Sequence, residues 1–121
     1  MFATQITAQI RKINDLTRII DITGDITAKG EPVLMDAYDQ VSAEKTKLII
    51  FNFEGMEYMN SSGIGLLVTL LIRSQRNGQK LVAFGLKDHF KKVFELTRLN
   101  QSIRVYDSEE EAIAQSMAST G

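Results

Sequence analysis

A chain of 121 residues suffices for one packed domain and is too short for two. Apolar residues make up 44% of it and charged residues 24%, ordinary globular usage that excludes a disordered or fibrous chain. With 14 basic against 15 acidic residues and no cysteine, it carries no electrostatic footprint for nucleic acid or an anionic membrane, and disulfides, thiolate metal sites and cysteine nucleophiles are excluded.

The first residues, Met1 to Ile6, lack the basic start and long apolar stretch of a signal peptide. Ile6, Ala8 and Ile10 alternate with polar residues, the period of a half-buried strand. Asn14-Asp15 supplies a turn, and Leu16 to Thr23 resumes the alternation with Leu16, Ile20 and Ile22 on one face. The two segments predict a hairpin ending at Gly24-Asp25, followed by a loop through Thr27 and Gly30. Pro32 suits a first helical turn, and Val33, Leu34, Ala37, Tyr38 and Val41 recur at helical spacing after it. Lys47 to Phe53 is a continuous apolar run, expected of a strand buried on both faces.

A loop containing Met56 and Met59 then leads to a helix over Ser61 to Asn77. Those methionines fit either core filling or an adaptable binding surface. The helix carries an apolar stripe of Ile64, Leu67, Val68, Leu71 and Ile72, and Asn77-Gly78 stops it. Leu66 and Leu70 fall off that stripe and suit either a neighbouring helix or a partner. Leu81 to Phe84 is a second buried strand, ended by Gly85, and Asp88 is placed to cap a helix bearing Phe90, Val93 and Phe94. Ile103 to Tyr106 is a last short strand. Ser108 to Glu111 has capping-box spacing for a final helix, with fraying expected from Ala118 to Gly121. The predicted order is β-β-α-β-α-β-α-β-α: a single α/β domain over residues 1–121, ordered over about 3–117, with a mixed sheet covered by helices. No run is long enough to cross a bilayer, so a cytoplasmic protein is expected.

Catalytic constellations are scarce. His89 is the one histidine, flanked by Lys87 and Lys91, and reads as a surface residue. Ser61 and Ser62 sit at a strand-to-helix turn, but Asn60-Ser61-Ser62-Gly63-Ile64-Gly65 lacks the Gly-x-Ser-x-Gly of a nucleophile elbow, and no P-loop lysine follows its glycines. No spacing suits a metal, so no catalytic residue, cofactor or metal is assigned. A serine hydrolase remains the reading from another functional class, testable with a fluorophosphonate probe.

Asn60-Ser61-Ser62-Gly63-Ile64-Gly65-Leu66-Leu67, Ile22-Thr23-Gly24-Asp25-Ile26, Phe90-Lys91-Lys92-Val93-Phe94-Glu95-Leu96 and Tyr106-Asp107-Ser108-Glu109-Glu110-Glu111-Ala112 together resemble the STAS domain, the family of bacterial anti-sigma-factor antagonists. The resemblance covers nearly the whole chain. It implies a regulatory module that binds an anti-sigma factor doubling as a serine kinase, is released when its motif serine is phosphorylated, and is reset by a phosphatase. The phosphoacceptor then falls on Ser61, with Ser62 as second candidate. Expected partner contacts are Asp25, Thr27, Asn60, Ser61, Ser62, Leu66 and Arg73. Asn60 stands where the family usually has an acid, and Thr27 where some relatives carry one. The alternative within the family is a scaffold subunit of a stress-signalling or lipid-transport assembly.

Overall fold

The sheet is built outward from a hairpin, with strands β1 (Thr7–Asn14) and β2 (Thr17–Ile26) pairing antiparallel, Ile10 against Ile20. The Asn14 side chain accepts from the Leu16 amide at 2.9 Å and closes the turn. A 3-10 turn (Ala28–Gly30) leads into helix α1 (Glu31–Ser42), and β3 (Leu48–Met59), α2 (Ser61–Arg76), β4 (Lys80–Phe84), α3 (Asp88–Leu96), β5 (Arg104–Tyr106) and α4 (Glu109–Thr120) follow. This computed structural model describes residues 4–120, with side chains to Met117. The expected start of order at residue 3 lies outside the described residues, and the fraying expected from Ala118 is corrected in that the α4 backbone stays helical to Thr120, Gly121 lying outside the described residues.

The strands lie in chain order, β1-β2-β3-β4-β5, and every pair after the first is parallel. Such a sequential parallel sheet needs all three crossover helices on one face. Accordingly Leu34 and Tyr38 of α1, Leu67 and Leu70 of α2, and Phe90 and Phe94 of α3 share one core with Ile20, Ile22, Ile49, Phe51 and Phe53. The other face buries Ile19, Leu48, Ile50, Val82 and Phe84 under Ala112 of α4, with Ile113 packed alongside. Both faces of β3 and β4 are covered, which explains their unbroken apolar runs.

Five sequence expectations are corrected. β2 continues past Gly24-Asp25 to Ile26, and β3 continues six residues past Phe53, so Met56 and Met59 are strand residues buried in the core rather than loop residues. The register between these strands shifts between Asp21 and Thr23 and again between Gly24 and Asp25. Each bulge puts an extra residue on β3 and breaks the alternation that marks a strand. Leu16 lies in the hairpin turn and is exposed instead of joining the Ile20 face. Asp88 lies inside the first turn of α3, whose cap position is Lys87 without a side-chain bond. The buried face of α2 comprises Gly63, Leu66, Leu67, Leu70, Leu71 and Ser74, while Ile72 is exposed. The helix is therefore rotated by about 100°, one residue's worth, from the expected stripe.

On the α4 face, Arg11 bonds Asp21 at 2.6 Å and Glu109 at 2.7 Å, and Asn52 donates to Asp21 at 2.7 Å. This cluster ties β1, β2 and β3 to the start of α4. Burial pushes the Asp21 carboxyl up, but the hydrogen bonds from Arg11 and Asn52 together hold it below its ordinary value of 3.8. A carboxyl depressed on folding stabilises the native state above its unfolded pKa, and that contribution is lost as pH falls through the folded value. Asp21→Asn should therefore be less stable than wild type at neutral pH and lose less stability between about pH 4 and pH 2, measured by urea unfolding across that range. Parallel pH curves for the two proteins would contradict it.

Candidate functional site

The C-terminal ends of β2 and β3 meet the start of α2. Asn60 is the one residue between strand and helix, extended at φ −102° and ψ −175°, and its amide donates to the Ile26 carbonyl at 3.3 Å. Its side-chain oxygen accepts from the Gly63 amide at 3.0 Å, and its carbonyl accepts from the Ile64 amide at 3.0 Å. Asn60 is thus the cap of α2. Gly63 faces the sheet: a Cβ there would overlap the Ile26 carbonyl oxygen and stand 2.9 Å from the Met59 side chain. This close approach sets the rotation of the helix and turns Leu66 and Leu70 inward.

With Asn60 as the cap, neither serine is needed for the fold. Ser61 and Ser62 are both exposed, and among the described residues their hydroxyls make no hydrogen bond. Their amides open the helix, where no intrahelical acceptor exists. The first turn carries no acid. The corner therefore presents two free hydroxyls and two unpaired donors at the positive end of the helix dipole, a setting that accommodates an anion. Asn60→Ala should cost about 1 kcal/mol, whereas Asn60→Asp should keep the cap and add about 0.3–1 kcal/mol through the dipole. Thermal unfolding checks both; an alanine variant as stable as wild type would contradict the capping role.

The expected contacts divide. Asp25 pairs in register with Tyr58, and Ile26 with Met59, so Asp25, Thr27, Asn60, Ser61 and Ser62 gather at this corner. Asp25 is partly engaged: its carboxylate accepts from the Thr4 amide at 3.1 Å, and the Thr4 hydroxyl donates to Glu57 at 2.8 Å. Thr27 is extended and heads the 3-10 turn, its carbonyl accepting from Gly30 at 2.9 Å. Leu66 is buried against the sheet and is withdrawn from the contact set. Arg73 is exposed on α2 but lies about 18 Å farther along the axis, 3.8 Å from Asp39 of α1 in an exposed ion pair that contributes little. Sequence reasoning missed Tyr58, a half-exposed aromatic beside the corner. The signal was an aromatic two residues before the cap, hidden because the segment read as a loop.

His89 does not join the serines. It is exposed on α3 and lies edge-on to Phe90, with no hydrogen bond among the described residues, so it completes no triad with Ser61 or Ser62. Among the described residues no acidic or histidine cluster could hold a metal, and no helix is long and apolar enough to cross a membrane.

Residues 7–112 match the family described as the STAS domain. This chain is a member of the STAS domain family. An anti-sigma-B factor antagonist of Staphylococcus aureus (strain NCTC 8325 / PS 47) is 28% identical to this STAS domain over 91 residues, covering 75% of this chain and 84% of the relative. Among solved structures, the anti-sigma factor antagonist SpoIIAA in its unphosphorylated form superposes with a TM-score of 0.76 at 21% identity, covering 93% of this chain and 97% of that one. The Bacillus cell fate determinant SpoIIAA in the phosphorylated form gives a TM-score of 0.71 at 22% identity, covering 91% and 99%. At these identities the two structures establish the STAS fold.

Proposed function

We propose that this STAS domain is an antagonist of an anti-sigma factor of the kinase type, switched by phosphorylation of Ser61. The observation that carries the reading is the division of labour at the corner. Asn60 caps α2, and Ser61 stands exposed with its hydroxyl free beside unpaired amides. A residue spared from structural duty can be modified without unfolding the domain. A phosphate adds about −1.5 to −2 charges at neutral pH and can take hydrogen bonds from the opening turn of the helix. The printed name of the staphylococcal relative and the two phosphorylation states in which SpoIIAA has been solved support the same reading.

In this scheme the unmodified corner, Asp25, Thr27, Tyr58, Asn60, Ser61 and Ser62, binds the kinase in the cytoplasm. Transfer of the γ-phosphoryl group of ATP to the Ser61 oxygen leaves ADP and a charged corner that repels the partner. A phosphatase hydrolyses the ester and restores binding. Incubation of the domain with source-cell extract and ATP, followed by site mapping, tests the switch. Phosphate on Ser61, absent in Ser61→Ala and retained in Ser62→Ala, is the expected result. An unmodified Ser61 in a stable complex would overturn the switch and favour a scaffold.

A further inference from the structure

The two edges of the sheet are unlike. β5 has 3 residues, and an edge that short offers little to pair with. β1 has 8 residues, contains no proline and pairs only with β2 among the described residues, so one side of its backbone carries unpaired donors and acceptors. Its one irregularity, the register shift between Lys12 and Asn14, leaves Thr7 to Lys12 regular. Arg11 gives this edge no repulsive charge, because Asp21 and Glu109 hold its guanidinium. On the α1 face, Ala8 and Ile10 are only partly buried and form with Pro32 and Val33 of α1 a groove of about 690 Å³. Asp36 stands exposed on its wall, bonded to Gln40 but to no cation among the described residues. Lys12 shares the face of Ala8 and Ile10 by strand alternation and is exposed, in a weak pair with Asp15 at 3.3 Å.

We propose that β1 pairs antiparallel with β1 of a second copy of this chain, about a two-fold axis at Ile10, joining two sheets into one. Charge complementarity selects both the second copy and the register. About Ile10, Gln9 stands opposite Arg11 of the other copy, Ala8 opposite Lys12, and Ile10 opposite itself, so no two like charges face each other. Each Lys12 then crosses to the groove where the other copy's Asp36 stands, and the two-fold axis makes this ion pair twice. Pairing about Arg11 would set that arginine against its own copy and draw the irregular Ile13 into the ladder. The Ser61 corner is carried by β2, β3 and α2, so it stays open in the pair, and the inference holds whether or not Ser61 is modified.

Sedimentation equilibrium of the full chain reads the association. A ladder from Ala8 to Lys12 with one central apolar contact lies at the weak end of protein interfaces, so the mean mass should climb from monomer toward dimer between about 10 µM and about 1 mM. Lys12→Glu and Asp36→Lys, both at exposed positions, should each weaken the dimer about tenfold with the fold retained by circular dichroism. The double variant reverses the ion pair and should restore association. Because the chain has no cysteine, disulfide trapping reads the register. Ile10→Cys should give a covalent dimer with a copper–phenanthroline oxidant, the two side chains facing each other across the axis. Gln9→Cys should not, because its two copies lie diagonally and too far apart for a disulfide. A chain that remains monomeric over the whole range would overturn the proposal. So would a dimer that both charge reversals leave unchanged, or one trapped by Gln9→Cys and not by Ile10→Cys.

Discussion

Gly63→Ala is expected to destabilise the domain by about 3 kcal/mol, the upper range for forcing a methyl group into a packed interior, lowering Tm by about 10 °C or more. The size follows from what the methyl meets. Its first obstacle is the carbonyl of Ile26, main chain at the C-terminal end of β2, and its second is the Met59 side chain at 2.9 Å. A flexible side chain could turn aside, but a strand carbonyl that already accepts from the Asn60 amide cannot. Relief requires lifting the start of α2 from β2, which loosens Leu66 and Leu67 beneath it. Circular-dichroism melting checks this. A Gly63→Ala protein melting within a degree or two of wild type would mean that the helix does not rest on Ile26 as described.

Ser61→Asp should weaken binding of the kinase-type partner about 100-fold, about 2.7 kcal/mol, while leaving the fold intact. The side chain is exposed in the first turn, and the Asn60 cap does not involve it. An acid at this position interacts favourably with the helix dipole, so Tm should hold or rise slightly. The two properties therefore separate at one residue: folding tolerates the charge and docking does not. Titration calorimetry with the purified partner, beside a thermal melt, reads both. Loss of binding with loss of structure would instead mean that the corner is part of the folding scaffold.

Much of this was legible in the sequence. The unbroken apolar runs at Leu48 to Phe53 and Leu81 to Phe84 announce strands covered on both faces, and the order of elements follows from them. The corner was legible too, because Asn-Ser-Ser-Gly between a strand and an apolar helix is a compact local signal. What stayed hidden depends on tertiary geometry. The bulges in β3 erase its alternation, so Tyr58 looked like part of a loop and Met56 and Met59 gave no sign of their strand pairing. The rotation of α2 is set by Gly63 against Ile26, a contact between residues 37 positions apart that no helical period reveals, so Leu66 read as a surface contact.

The central claim is that one hydroxyl, spared from capping by Asn60, controls whether a partner docks. Its most direct test is the affinity of the purified kinase-type partner for two preparations of this domain, one unmodified and one stoichiometrically phosphorylated on Ser61, both verified as folded. Binding to the unmodified protein and a drop of about 100-fold or more on phosphorylation are expected. Equal affinities for the two forms would contradict it.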